Sequence, residues 1–360
     1  MKIVKVALPE NCRIICVSDV HGHADAFEKL LDKCEYDPVK DYLFILGDIL
    51  EKGTQNIEMI RFVKKLCQNK KAICIQGNND TMCERMAYRD SKEKFLSRLV
   101  SRPQNTYMDM AKEIGITDFT EDFESKRGRV NESFNEELEF IRDLPFAIDT
   151  KDYIFVHAGI ENRQDWENSA EVVIQNDYWW LRKEHCLSKT VVVGHFPCYN
   201  FARGKNTNLP IIDEEKRIID IDGGCSVKWV GQLNGFIINK DGDNYSYETR
   251  FTPLVPESVV TKDYNPERSY KYLDYEKSDL EIIGKDGVFI DVINKADGTA
   301  GRIPECCTGY WNDRLHGWIN LDSFVKVKKD DKYYIYGEFG DYYIGLCENG
   351  QVGMIPKECI

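Results

Sequence analysis

Residues 13–22 read RIICVSDVHG, an apolar run that ends in a carboxylate, an imidazole two positions on, and a glycine. Ile14, Ile15, Cys16 and Val17 follow one another without polar alternation, the pattern of a strand covered on both faces. The same construction recurs as YLFILGDIL at 42–50, AICIQGNND at 72–80, YIFVHAG at 153–159 and TVVVGHFP at 190–197. Each predicts a short buried strand ending in a polar turn. Between the first three, Phe27, Leu30 and Leu31 (within 24–34) and Ile57, Ile60, Val63 and Leu66 (within 56–68) recur at helical spacing. Strand, turn and helix in alternation predict an α/β sheet that binds ligands at the carboxyl ends of its strands. All five polar turns should then lie along one edge.

Outward from this pattern, residues 85–140 are charged and helical in composition and read as an insertion or cap. Beyond Asn234 the chain turns to strands and glycine-containing turns, with Asp241-Gly242 a hairpin signal. A Pro-containing polar stretch at 253–266 reads as a linker, which divides the chain into a domain at 1–252 and a β-rich domain at 267–360. The tail repeats itself: DGTAGRIPECC at 297–307 and NGQVGMIPKEC at 349–359 share G-x-x-G-x-I-P and a following cysteine. Trp229 reads as core.

The 360 residues are 42% apolar and 30% charged, which excludes a disordered or fibrous chain. A net charge of -13 repels a phosphate backbone, so nucleic acid is not an expected partner. Pro9, Glu10 and Asn11 interrupt the N-terminal apolar stretch before a signal peptide could form. No uncharged apolar run approaches the ~18 residues that a membrane span needs, so no membrane association is expected. Thirteen cysteines, without a CxxC pair, read as reduced packing residues of a cytoplasmic protein.

Five of the six histidines precede residue 196, and three of those end predicted strands. Asp19, His21, Asp48, Asn78, His157 and His195 together offer two carboxylates, three imidazoles and an amide oxygen, donors suited to Mn, Fe, Zn or similar divalent ions. Singly, each is an N-cap, a turn residue or a surface histidine. Five such elements in order, each at a strand's carboxyl end, instead point to a metal site that clamps phosphate.

These residues resemble the calcineurin-like metallophosphoesterases, within them the phosphoprotein phosphatase branch and its bacterial relatives. SDVHG resembles the family's GDxHG, GDILEKG its GDxxDRG, GNND its GNHE/D, and VHAG and GHFP its later histidine motifs; the likeness spans about 12–236. It implies a β-sandwich flanked by helices and two divalent cations, Mn²⁺ first, with Fe, Zn, Ni or Co as alternatives. The first cation would take Asp19, His21 and Asp48, and the second Asp48, Asn78, His157 and His195. A metal-bridging hydroxide would attack phosphorus in line. Pro197, where broader family members carry a second histidine, matches the phosphatase branch. By the same resemblance Lys52 and Arg182 contact phosphate, although Arg182 also has Trp179 and Trp180 to stack on. The tail's repeat resembles the last hairpin and short turn of a Src-homology-3 type barrel, repeated in tandem, which implies a peptide, a cell-wall fragment or the neighbouring domain as ligand.

Three positions depart from the family. Asn79 stands where a histidine would protonate the leaving group, Glu51 where an aspartate would orient it, and Lys52 where an arginine would grip phosphate. An amide is no general acid, and losing a positioned donor costs ~10²–10⁴-fold, most for poor leaving groups. Substitute acids in reach of the motifs are His23 and His185, both otherwise surface residues; Asp80 is a weaker choice, since one carboxylate beside two metals should be ionised. The leading expectation is a phosphatase for phosphoproteins or small phosphate esters. The alternatives are a diadenosine-polyphosphate hydrolase, whose anhydride leaving group tolerates Asn79 better, and a weakly active binding module.

Overall fold

A computed structural model describes residues 1–177, 181 and 183–360. Two compact units divide the chain: residues 1–196, 210–226 and 233–252 form the first, and 197–209, 227–232 and 253–360 the second.

In chain order, the first unit contains β1 (Ile3–Lys5), β2 (Asn11–Val17), α1 (Ala24–Lys33), β3 (Tyr42–Ile45), α2 (Asn56–Leu66), β4 (Ala72–Cys74), α3 (Asn78–Tyr88), α4 (Lys92–Ser101), α5 (Thr106–Glu113), α6 (Phe123–Ser133), α7 (Asn135–Arg142), β5 (Ala147–Asp149), β6 (Tyr153–Val156), α8 (Glu171–Asn176), β7 (Thr190–Val193), β8 (Ile211–Asp213), β9 (Ile218–Asp220), β10 (Gln232–Asp241) and β11 (Asn244–Pro253). Helices α1 and α2 lie where the apolar spacing put them, with Phe27, Leu30, Leu31, Ile57, Ile60 and Val63 buried. The hairpin at Asp241-Gly242 also forms, with Gly242 at φ 60°.

The strands form two sheets rather than one. One runs β1-β5-β6-β7-β9-β8 and the other β11-β10-β2-β3-β4. Their facing sides share a core in which Ile14, Cys16 and Phe44 of one meet Phe155, Val192 and Ile219 of the other. Phe44 and Phe155 cross edge-to-face at 4.9 Å. This is a β-sandwich with helices outside. The single sheet expected for the five strands is therefore corrected, β2, β3 and β4 pairing in parallel in one sheet and β6 and β7 in the other, while the β-sandwich that the resemblance implies is what forms. Continuous apolar runs report burial on both faces, and either sheet of a sandwich with outer helices supplies that.

The second unit is all β among its named strands: β12 (Glu257–Val259), β13 (Leu280–Asp286), β14 (Phe289–Asn294), β15 (Ala300–Pro304), β16 (Thr308–Trp311), β17 (Arg314–Gly317), β18 (Lys332–Phe339), β19 (Tyr342–Cys347) and β20 (Val352–Pro356). Every paired ladder among these strands is antiparallel. The repeat has a structural counterpart. Hairpin β14–β15 runs into a 3₁₀ turn at Glu305–Cys307, and hairpin β19–β20 into one at Lys357–Cys359. The expected linker is not wholly irregular, since β12 within it pairs with β18. Trp229, expected in the core, is 45% exposed, with its ring 5.1 Å from that of Phe339. All thirteen cysteines are free thiols. Among the described residues, no helix is long and apolar enough to cross a membrane.

Candidate metal centre

The loops that leave β2, β3, β4, β6 and β7 bring Asp19, His21, Asp48, Asn78, His157 and His195 to one end of the sandwich. Ligand atoms of Asp19, His21 and Asp48 lie within 4.8 Å of one another, as do those of Asp48, His157 and His195. Asp48 belongs to both groups. Its Oδ2 is 3.9 Å from His21 Nε2 and its Oδ1 is 3.5 Å from His157 Nε2, so its two oxygens face opposite ways. Asp19 Oδ1 is 3.7 Å from His21 Nε2, and Asn78 Oδ1 is 3.0 Å from His157 Nε2. The rings of His157 and His195 have centroids 5.0 Å apart.

Hydrogen bonds from behind set these donors. His21 Nδ1 lies 3.0 Å from the Leu50 carbonyl and His157 Nδ1 2.7 Å from that of Leu46, which places a proton on each Nδ1 and leaves Nε2 as the donor. Asp19 Oδ2 accepts from Ser18 Oγ and, at 2.9 Å, from the His195 N–H. Asp80 accepts at 2.8, 2.9 and 3.2 Å from the N–H groups of Asp48, Gly77 and Leu50, tying the β3 and β4 loops together.

The backbone stores strain here. Asp19 (φ 54°), His21 (49°), Asp48 (52°), Glu51 (72°), Lys52 (69°) and His195 (71°) all occupy the left-handed region, which costs side-chain-bearing residues of order 1–3 kcal/mol each. Two motif glycines are needed for close approach. A Cβ on Gly77 would lie 2.2 Å from Asp48 Oδ1, and one on Gly194 1.8 Å from Ser18 Oγ.

Electrostatically the donor set fits a cation. Asp19, His21, Asp48 and His157 are each at most 2% exposed. Buried with them, Asp222 has one oxygen accepting from Gly224 N–H at 2.7 Å and the other, Oδ2, without a hydrogen-bond partner among the described residues. Burial and the Asp19 charge push the Asp222 carboxyl well above the usual range. Burial opposes an imidazolium at His157, but the carboxylates of Asp48 and Asp19 raise it to about 10. Burial and the neighbouring His157 charge lower His195 to about 4. Lys52 already brings a positive charge, its Nζ 2.8 Å from His21 Nε2. The Asp19 and Asp48 carboxylates facing the Nε2 atoms of His21 and His157 are a donor set that a divalent ion could use, with the ion taking the place of the His157 proton.

Of the other expected residues, Glu51 is buried, accepts from the Thr106 N–H at 2.9 Å through Oε1, and has its carboxyl raised by burial. The oxygens of Asp80 face the backbone N–H groups of Asp48, Gly77 and Leu50. Burial, reinforced by Asp48, raises its carboxyl to about 7. His185, expected at the surface, is 7% exposed; its Nδ1 accepts from Leu187 N–H and its Nε2 faces the Arg217 carbonyl at 3.3 Å. His23 is half-buried, with Nε2 2.7 Å from Ser226 Oγ. Arg182, Trp179 and Trp180 lie outside the described residues.

Asn79 is held on three sides. Its backbone N–H donates to Asp48 Oδ1 at 2.8 Å, its Nδ2 donates to Asp48 Oδ2, and its Oδ1 accepts from Arg102 at 2.7 Å. Sequence reasoning missed Arg102, which sits in the charged helical segment without any motif around it. It also passed over Asp222, buried with the centre in the stretch IDIDGGC at 219–225.

A family model described as calcineurin-like phosphoesterase matches residues 12–221, more than half of the chain. A curated relative from Actinobacillus succinogenes, named "Bis(5'-nucleosyl)-tetraphosphatase, symmetrical", is 30% identical over 156 residues, 42% of this chain and 45% of the relative. Its counterpart of the same name from Mannheimia succiniciproducens is 27% identical over 176 residues, 46% of this chain and 53% of the relative. The chain thus spans about half the length of the curated relatives it matches. A solved structure described as a candidate diadenosine tetraphosphatase is 17% identical, covering 69% of this chain and 97% of its own at a TM-score of 0.46.

Proposed function

The chain belongs to the calcineurin-like phosphoesterases, a family of metal-dependent hydrolases, and we propose that it is a two-metal phosphohydrolase selective for phosphoanhydrides, of which bis-nucleosyl polyphosphates are the leading class. Asp19, His21 and Asp48 would hold one cation, and Asp48, Asn78, His157 and His195 the other, Mn²⁺ being the first candidate. When bound, the two ions supply Lewis acidity and a water activated for attack on phosphorus. The chain's own part is to orient the imidazoles through the Leu46 and Leu50 carbonyls, to keep Asp48 facing both ways, and to offer Lys52 to a phosphate oxygen. Arg182 is the second proposed phosphate contact.

Asn79 is the observation that carries the choice of substrate. Pinned between Asp48 and Arg102, it offers the leaving oxygen no proton. A serine alkoxide departs badly without one, whereas a phosphate departs as a stable anion. The phosphoprotein reading is therefore the weaker of the two. Both curated relatives described above carry names of anhydride hydrolases, which supports the same choice. Turnover of a bis-nucleosyl tetraphosphate in Mn²⁺ should exceed that of a phosphoserine peptide by at least ~10²-fold, with p-nitrophenyl phosphate between them. Equal rates on peptide and anhydride would defeat the selectivity.

The tail is proposed as a Src-homology-3-like recognition region, supported by its two hairpin-plus-3₁₀ repeats. Thirteen free thiols support a reducing, cytoplasmic setting.

Metal loading should also release protons. A coordinating imidazole must be neutral, yet His157, held near 10 by Asp48 and Asp19 against its burial, is charged in the metal-free chain at neutral pH. Protons and metal compete for its Nε2, so apparent affinity should rise with pH until about 10. Calorimetric titration with Mn²⁺ at pH 7.5, in buffers of different ionisation enthalpy, should report proton release. Its absence would remove His157 from the ligand set.

A further inference from the structure

Beside the metal centre, Asn78, Asn79, Arg85, Arg98, Arg102 and Gln175 line most of a polar cavity of about 210 Å³. We propose that this cavity is a subsite for the phosphoryl groups beyond the one attacked, with Arg102 as its principal cation. The inference rests on the anhydride reading above, because only such a substrate carries further phosphates.

Among the described residues, the lining holds three guanidinium groups and no carboxylate. Two of the three are partly neutralised, Arg98 by Asp90 at 2.5 Å and Arg85 by Glu171 at 3.3 Å. Arg102 differs. Its NH1 touches the Asn79 oxygen at 2.7 Å and the Met82 sulfur at 3.7 Å, and among the described residues no carboxylate lies within ion-pair distance of it. A guanidinium has five N–H donors in a planar fork, so most of its hydrogen-bonding capacity is uncommitted, in a form suited to two oxygens of one phosphate. Gln175, 2% exposed, is fixed through its amide to Thr81 Oγ1 at 2.7 Å, which ties α8 to the first turn of α3.

Two further facts place the subsite on the leaving-group side. The cavity begins at Asn78, a proposed metal ligand, and continues past Asn79, where the family's proton donor would stand. Its volume is below the ~300–1,000 Å³ of sites that enclose whole small molecules, so it accepts a stretch of phosphates and leaves the nucleoside outside. In the reaction, oxygen from water bonds to phosphorus as the bridging P–O bond breaks. The electron pair leaves with the departing phosphate, and the attacking water's proton passes to solvent. Arg102 holds the new anion without giving up a proton, replacing acid catalysis by charge stabilisation.

Inorganic tripolyphosphate, titrated into the full chain in chelator, probes the subsite without metal or turnover. The wild type should bind it, Arg102→Ala should bind at least ~10-fold more weakly, and Arg102→Lys should fall between, having kept the charge and lost the fork. In Mn²⁺, Arg102→Ala should lower kcat/KM on a bis-nucleosyl tetraphosphate by ~10²–10³-fold, the scale of one lost oxyanion donor, and at least ~10-fold more than on p-nitrophenyl phosphate. Unchanged tripolyphosphate affinity in Arg102→Ala, or equal losses on both substrates, overturns the subsite. Arg102-dependent binding without hydrolysis of any anhydride would sustain the subsite and sink the anhydride activity instead.

Discussion

Asp48→Asn should abolish metal-dependent hydrolysis, a loss of at least ~10³-fold, or ~4 kcal/mol of transition-state stabilisation. No other side chain belongs to both ligand groups among the described residues. Its oxygens sit 3.5 Å from His157 Nε2 on one side and 3.9 Å from His21 Nε2 on the other, so an amide at this position would take a charged donor from both proposed cations together. An amide also turns one of the two acceptors into a donor. Asn79 then has two groups, its N–H and its Nδ2, pointing at a side chain that accepts on one atom only. Elemental analysis of the purified variant should show metal content falling along with turnover, while thermal unfolding of the metal-free chains remains comparable. A variant that keeps both metals and its activity would remove Asp48 from the bridging position.

Much of this centre is legible in the sequence, because its residues follow buried apolar runs directly. A run such as Ile14 to Val17 fixes where a strand ends, and with it where Asp19 and His21 begin. The partition of those strands is not legible in the same way. Burial on both faces looks identical in either sheet, and only long-range pairing, such as β6 with β7, assigns a run to one of them. Solitary residues are harder still. Arg102 follows α4 in a helical segment without any motif around it, and only the folded chain shows it against Asn79. His185 and Trp229 failed in opposite directions for a related reason. A histidine in a polar stretch is buried by the Arg217 and Leu187 backbone, and a tryptophan beside a glycine-rich turn finds only a partial cover. Asn79 itself was readable as an absent acid, but its being locked in place was not.

That lock determines what Asn79→His should do. Restoring the histidine should raise turnover of alkyl phosphates more than of p-nitrophenyl phosphate, since only the poorer leaving group needs the proton. The gain should nevertheless fall short of the ~10²–10⁴-fold that a positioned acid supplies. Arg102 lies 2.7 Å from the oxygen that the imidazole would replace, and a neighbouring cation favours the neutral ring, the form with no proton to spare for the leaving group. Glu51, at the position of the family's orienting carboxylate, already accepts from the Thr106 N–H, and burial raises its carboxyl, which weakens it as a partner for an imidazolium. Adding Arg102→Gln to Asn79→His should therefore increase alkyl phosphate turnover further while lowering that of a bis-nucleosyl tetraphosphate, because the same guanidinium that suppresses the acid would hold the departing phosphate. Steady-state rates on the three substrates for the two single variants and the double variant separate these effects. Equal gains on alkyl and aryl phosphates from Asn79→His would mean that the missing acid does not limit this site, and a double variant no better than the single would mean that Arg102 does not restrain it.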